Sequence, residues 1–422
     1  MADIDIGKAS ANNIVLPFYA TGAIVFFVLC FLLLLSADSL TTHYFNPHLL
    51  TIVHAAALGW ATMIIFGASY QLLPVVCERD LFSPKIAGLS WYTLLFGTVL
   101  LTSSFWNFRT GWIMIGGGTL VLLSAASFFV NVWFTNETPL QKSIVQQFTI
   151  TSAAWLLFTV TMGLLLAINL QYPFFSKSHL EILKLHAHAG LAGWFLQLIA
   201  GISSKLIPMF LLGKSKKEQW LKYAYWLQNI SLVLFLCDGY FFSISNIRIM
   251  VYAVIFAAGV LMWMFYLYDA FKNRIRKKLD IQMKQSFLSF LFLALAILMI
   301  PVIIYAQGNQ WAILYGTFLF MGWITGIILG KTFKTLPFIV WNEHYKNLSG
   351  KVKIPLPKDL YSETLVLWQT RLFAVAMLVI AIGIASGNVW IIRVAACIWL
   401  VLAFLYLLNV MKVLFHKTQI LS

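Results

Sequence analysis

Two histidines open the same motif at two places in the chain, and an imidazole can bind a metal or carry a proton. His188 lies 134 residues after His54. Glycine, tryptophan, serine and proline follow both at matching spacings, as Gly59, Trp60, Gly67, Ser69 and Pro74, and as Gly193, Trp194, Gly201, Ser203 and Pro208. A third copy has Gly322, Trp323, Gly330, Thr332 and Pro337, with Thr317 at the histidine position. The repeated residues predict shared architecture, and the histidines predict chemistry that two copies keep.

His54, His186 and His188 lie well inside apolar segments, where an ionisable side chain is costly and marks a candidate functional site. Imidazole is an axial ligand of haem iron, and a six-coordinate haem needs two such ligands on separate helices, with a slot between them. Small residues follow both repeated histidines, namely Ala55, Ala56, Ala189 and Gly190. We therefore predict His54 and His188 as axial ligands of one haem. The structural alternative is a neutral imidazole bonded to a carbonyl of the next helix.

His186 precedes His188 by two residues, which is about 200° around a helix, so the two side chains are expected on opposite faces. His186 is predicted to serve a second haem or a copper ion. His48 and His179, at the outer ends of their spans, are further candidate ligands. Asp238 is expected either to orient a ligating histidine through a hydrogen bond or to be an acid at the membrane interface.

His54, His186 and His188 lie on predicted membrane helices. The chain of 422 residues is 61% hydrophobic and 10% charged, which predicts an all-α polytopic membrane protein. Twelve apolar runs are long enough to cross a bilayer, and they start near Ile14, Pro47, Lys85, Gly111, Ile144, Leu180, Trp220, Arg248, Ser286, Gln310, Leu365 and Val389. We predict one membrane domain over 1–422. The motif lies on spans 2, 6 and 10, about 47–75, 180–209 and 310–338, which predicts a pseudo-threefold bundle of three four-helix units.

The net charge of +15 follows a positive-inside pattern rather than the pattern of a nucleic-acid site. The loops that follow the even-numbered spans carry most of the lysines and arginines, which predicts both termini in the cytoplasm and a location in the bacterial inner membrane. The bilayer is thus the expected partner, and no nucleic acid is expected. The four cysteines form no CxxCH sequence, so covalently attached haem is not indicated.

Twelve spans with threefold pseudosymmetry, a histidine on span 2 and an H-x-H on a related span resemble subunit I of the haem–copper oxidase superfamily. The pattern of histidine, Gly-aromatic, glycine and Leu-x-Pro resembles the divergent NnrS family. This resemblance implies haem b, with copper as a second cofactor. It also implies partners among respiratory-chain or nitric oxide response proteins, and, for an enzyme, an oxidoreductase of the haem–copper oxidase or nitric oxide reductase type.

The chain departs from the oxidase pattern in its ligands. The oxidases have H-x-H on span 10 and further copper ligands on spans 6 and 7, whereas here H-x-H lies on span 6 and span 10 has Thr317. A full oxidase site needs six histidines, and three lie well inside the membrane here. Acidic residues for proton uptake are almost absent from the spans. A proton-pumping oxidase is therefore not expected.

The leading hypothesis is a b-type haem-binding inner-membrane protein for electron transfer or nitric oxide handling, with either a second haem or a copper ion as an additional cofactor. Two other classes stay open. One is a transporter whose histidines form a metal or proton site. The other is an assembly or scaffold protein that keeps the oxidase fold without a cofactor.

Overall fold

A computed structural model describes residues 12–137, 142–243, 245–306 and 308–419. Within these ranges the regular structure is helical, with twelve long helices at the positions of the twelve predicted spans. They are α1 (Asn12–Leu35), α2 (Pro47–Cys77), α3 (Pro84–Trp106), α4 (Trp112–Thr135), α5 (Ile144–Gln171), α6 (His179–Leu211), α7 (Glu218–Phe241), α8 (Asn246–Lys272), α9 (Ile281–Tyr305), α10 (Asn309–Leu348), α11 (Glu363–Ser386) and α12 (Val389–Leu414). The all-α class is confirmed.

Eleven of the helices in the described residues are long and apolar enough to cross a membrane. The exception is α7, which has 24 residues but includes two neighbouring amides. Gln228 accepts a hydrogen bond from Gln197 on α6 (3.0 Å), and Asn229 accepts one from the Trp155 indole on α5 (2.9 Å). Because the side-chain oxygens of both amides accept hydrogen bonds from neighbouring helices, α7 can remain helical beside them despite its lower hydropathy.

The described residues divide into two compact units. The first consists of 73–101 and 109–279, which contain α4 to α8 and most of α3. The second consists of 12–72, 102–108 and 280–419, which contain α1, most of α2, and α9 to α12.

The second glycine of each motif lies where its helix packs against the preceding one. A Cβ at Gly67 would be 2.7 Å from the Phe18 Cβ on α1, and a Cβ at Gly201 would be 2.6 Å from the Phe148 Cβ on α5. In the third copy, a Cβ at Gly330 would be 2.5 Å from the hydroxyl of Ser286 on α9. Small residues allow membrane helices to approach closely. The repeated glycine therefore builds the same helix pair three times.

Each motif also contains a stretch of π-helix, in which hydrogen bonds run from residue i to i+5. The stretches are Ala55–Thr62 in α2, Ala189–Leu196 in α6 and Phe318–Ile324 in α10. The residues immediately before them are His54, His188 and Thr317. π-Helical turns are rare in proteins, and those that occur are often found at functional sites. The position that varies among the three copies is thus the last residue before the helix widens.

Candidate functional site

His54 is held by its own helix. Its ring Nδ1 lies 2.8 Å from the backbone carbonyl oxygen of Leu50, four residues earlier. A carbonyl oxygen only accepts, so Nδ1 carries the hydrogen and donates it. In the neutral ring, Nε2 then has the lone pair that a metal ion binds. The imidazole is stacked on Phe105 of α3, with ring centroids 4.6 Å apart at 30°, which further restricts its orientation.

His188 repeats this arrangement in the other unit. Its Nδ1 donates to the carbonyl oxygen of Lys184 at 2.8 Å, again four residues earlier, and its ring lies 5.2 Å from that of Phe235 on α7. The same tautomer, with the lone pair on Nε2, is therefore set in both copies. A backbone carbonyl bonded to the second ring nitrogen is the usual partner of a metal-ligating histidine.

Thr317 keeps the hydrogen bond of the motif without its imidazole. The Thr317 hydroxyl donates to the carbonyl oxygen of Ile313 at 2.8 Å, four residues earlier, and the side chain is buried. In the third copy the threonine hydroxyl therefore finds its acceptor within its own helix, and the side chain supplies no ring nitrogen. This is a direct structural counterpart of the difference that the sequence shows among the three copies.

His186 has a different environment from His188. Its Nδ1 donates to the carbonyl oxygen of Thr159 on α5 at 3.0 Å, and its ring lies over Gly163, where a Cβ would be 2.8 Å from the imidazole Cε1. His186 thus faces α5 while His188 faces α7, which confirms the expected opposite faces. The sequence analysis raised a hydrogen bond to a neighbouring helix as the structural alternative to metal ligation. The structure has such a bond at His186, whereas His54 and His188 bond to their own helices.

The two outer histidines lie beside polar or aromatic neighbours of their own units. The His48 ring is stacked on Trp106, with centroids 4.3 Å apart, and His179 Nδ1 lies 3.4 Å from the Asn169 amide nitrogen. No group of three or more His, Cys, Asp or Glu side chains suited to a metal ion occurs in the part of the chain that the structure describes. The expected copper ligands are therefore not brought into a three-residue set there.

Asp238 binds an arginine and a tyrosine rather than a ring of a candidate ligand. One carboxylate oxygen accepts from Arg248 Nη1 at 2.6 Å, and the other accepts from the Tyr252 hydroxyl at 3.1 Å. Both partners lie on α8, so the ion pair joins the adjacent ends of α7 and α8. These contacts favour the second sequence-based alternative, an acid at the membrane interface.

Replacing Arg248 with methionine should lower the free energy of unfolding by about 2 kcal/mol, because the buried Asp238 carboxylate loses its charged partner. Unfolding in detergent, followed by circular dichroism, measures this loss. Arg393→Met is the matched control, since Arg393 pairs with Asp38 at 3.1 Å where the side chains are 38% and 66% exposed. That exposed pair should contribute less than about 1 kcal/mol. Equal losses in the two variants would contradict the assignment.

The sequence did not predict an amide network that lies next to the π stretch of α6. Trp155 packs on Gly193, where a Cβ would be 2.6 Å from the indole Cγ. Its Nε1–H donates to Asn229, whose Nδ2 donates to Gln197 Oε1 at 3.2 Å. The motif glycine thus makes room for an indole that donates to Asn229, and Asn229 is in turn bonded to Gln197. Glutamine and asparagine inside apolar spans could have indicated this network, since a buried amide needs a hydrogen-bond partner.

No family model matches the chain. An uncharacterized protein of Aquifex aeolicus (strain VF5) is 26% identical over 288 residues, which is 67% of this chain and 70% of the relative. Among solved structures, a haem–copper terminal oxidase dimer studied by cryo-electron microscopy matches with a TM-score of 0.69 and 11% identity, over 97% of this chain and 85% of that chain. At this identity the likeness establishes the fold alone. The chain is therefore a polytopic α-helical membrane protein with the fold of a haem–copper terminal oxidase.

Proposed function

We propose that this protein binds b-type haem, with His54 and His188 as ligands of haem iron. The observation that carries the proposal is the hydrogen bond from Nδ1 to the carbonyl four residues earlier, at 2.8 Å in both copies. It sets each neutral imidazole in the tautomer that a metal needs. Since each Nδ1 is bonded within its own helix, the other ring nitrogen, Nε2, is the atom that would bind iron in both copies.

The donor set fits haem. Imidazole is the common axial ligand of haem iron, and a haem held by histidines supplies one-electron chemistry between its ferric and ferrous forms. The carbonyls of Leu50 and Lys184 fix the direction of each ring. Phe105 and Phe235 lie against the imidazoles, and such apolar neighbours keep water from the ring nitrogens.

The donor set does not fit an oxidase copper centre, because three suitable side chains do not come together in the described ranges. Within the proposal, the protein transfers electrons or handles nitric oxide, as the resemblance to the NnrS family implies. The charge distribution supports a bacterial inner-membrane location with both termini cytoplasmic, and respiratory-chain or nitric oxide response proteins are the proposed partners.

Optical spectra of protein purified from haem-replete cells test this function. We expect a Soret band in the oxidised protein, a sharpened visible band after dithionite reduction, and a further shift with carbon monoxide only where one coordination position is open. A spectrum without a Soret band would overturn the proposal. If protein without a Soret band is reconstituted in vesicles and the vesicles take up a labelled transition metal, the transporter alternative is supported instead.

A further inference from the structure

Two loops of the first unit are joined into one surface at the basic end of α6 and α8. The backbone amide of Ile275 donates to the carbonyl of Leu212 at 3.1 Å, and that of Arg276 donates to the carbonyl of Leu211 at 3.2 Å. Asp269 ties the first loop to α8, since it accepts from the Ser215 hydroxyl at 2.8 Å. We call residues 211–217 and 272–279 the basic platform. Two backbone hydrogen bonds thus join the two loops of the platform.

The basic platform carries concentrated positive charge. Neither of its segments contains an acidic residue, and its exposed cations are Lys214, Lys216, Lys217, Lys272, Arg276, Lys277 and Lys278. Three acids flank the platform along the chain. Asp280 follows residue 279 directly, accepts from the backbone amide of Met283 and pairs with Lys334. Asp269 accepts from Ser215 and from the backbone amide of Lys216, and Glu218 is the first residue of α7, where a carboxylate interacts favourably with the helix dipole. Seven exposed cations beside three acids leave a net positive surface, which attracts an anion.

Apolar side chains stand among these cations. Leu212 is 60% exposed and Ile275 is 78% exposed, although both lie in loops whose neighbours are lysines and arginines. The adjoining α8 has the least buried apolar stretch of the candidate spans in the described residues, at 17%, and Tyr268 is exposed near its basic end. The platform therefore continues directly into a surface suited to acyl chains.

We propose that the basic platform is a binding site for an anionic phospholipid. The lysines and arginines hold the headgroup phosphate, and the acyl chains lie along the exposed face of α8. Cationic loops next to membrane helices attract anionic lipids, and lysine stems can cover apolar surface while their ammonium groups stay with the headgroup. A water-soluble anion would use the charge but would leave Leu212 and Ile275 exposed, so the combination favours a lipid. This site is independent of the proposed haem.

Native mass spectrometry of the full chain in nonionic detergent tests the site with phosphatidylglycerol and, as the neutral reference, phosphatidylcholine. The variant K214Q/K277Q/K278Q removes three exposed platform lysines. The matched control K346Q/K351Q/K358Q removes three exposed lysines of the second unit and has the same net charge. We expect phosphatidylglycerol to bind more tightly than phosphatidylcholine. The platform variant should lose about fivefold in phosphatidylglycerol affinity per lysine, on the order of 100-fold in total, with the control near wild type.

Three results would overturn the proposal. Equal affinities for the two lipids would remove the selectivity for charge, and equal losses in the two variants would show a general effect of net charge. Displacement of phosphatidylglycerol by excess inorganic phosphate would show that the platform recognises a soluble anion. Circular dichroism of both variants checks that they are folded. We expect them to be, since none of the six lysines donates a side-chain hydrogen bond to another described residue.

Discussion

His188→Ala should weaken haem binding on the order of 100-fold or more, since loss of a residue that only orients a metal ligand already costs 10 to 100-fold, roughly. The variant removes the imidazole whose Nδ1 is anchored at 2.8 Å to Lys184. The haem-to-protein ratio of the purified variant, measured from the Soret band after titration with haem, gives the change in affinity. His54→Ala should have an effect of the same size, because the two residues have the same geometry.

His186→Ala is the matched control, because it removes an imidazole two residues away on the same helix. His186 bonds to Thr159 on α5, so its loss should cost about 1 kcal/mol of stability and leave the haem content near that of wild type. A His186→Ala protein without haem, beside a His188→Ala protein that keeps it, would reverse the assignment and make His186 the ligand.

Gly201→Leu should destabilise the protein by about 3 kcal/mol or more, because overpacking a tight helix contact forces side chains and backbone apart. A Cβ at Gly201 would lie 2.6 Å from the Phe148 Cβ and 3.5 Å from the carbonyl oxygen of Val145, so little movement of α5 is available. Unfolding in detergent gives the change in free energy. Gly67→Leu should behave alike, since the corresponding distance to Phe18 is 2.7 Å.

Gly88→Leu on α3 is the control for this helix contact. A Cβ there would meet nothing within 4 Å, and glycine in a helix interior is itself unfavourable by about 1 kcal/mol relative to alanine. The Gly88 variant should therefore be as stable as wild type or more so. If Gly201→Leu and Gly88→Leu unfold alike, the motif glycine is not required for the packing of α5 against α6.

Much of the helical architecture follows from the sequence, because apolar runs of the right length have few other solutions in a membrane. All twelve helices lie at the predicted positions, and the shared packing of Gly67, Gly201 and Gly330 agrees with their shared spacing. The π stretches after His54 and His188 were not predicted. Hydrophobic pattern reports which face of a helix is buried, and it carries no information about a local change from i+4 to i+5 hydrogen bonding.

His54, His186 and His188 stay predicted ligands, and their hydrogen-bond partners were not predicted from the sequence. Spacing alone places His186 and His188 on opposite faces, and the structure confirms this. The spacing does not reveal that His186 donates to a carbonyl of α5 while His188 donates to a carbonyl of its own helix. Those partners depend on which helix lies beside each face. For the same reason the sequence did not pair Asp238 with Arg248. Asp238 lies near the end of α7, and Arg248 lies on the following helix, α8.

The most direct test is the optical spectrum of the His54→Ala/His188→Ala protein, recorded beside wild type after both are expressed in haem-replete cells. Helical content measured by circular dichroism establishes that the double variant is folded. We predict a Soret band in wild type and its loss in the double variant, with Thr317→Ala unchanged because that side chain supplies no ring nitrogen. A Soret band of the same intensity in wild type and the double variant, or none in wild type, would contradict ligation of haem by these two histidines.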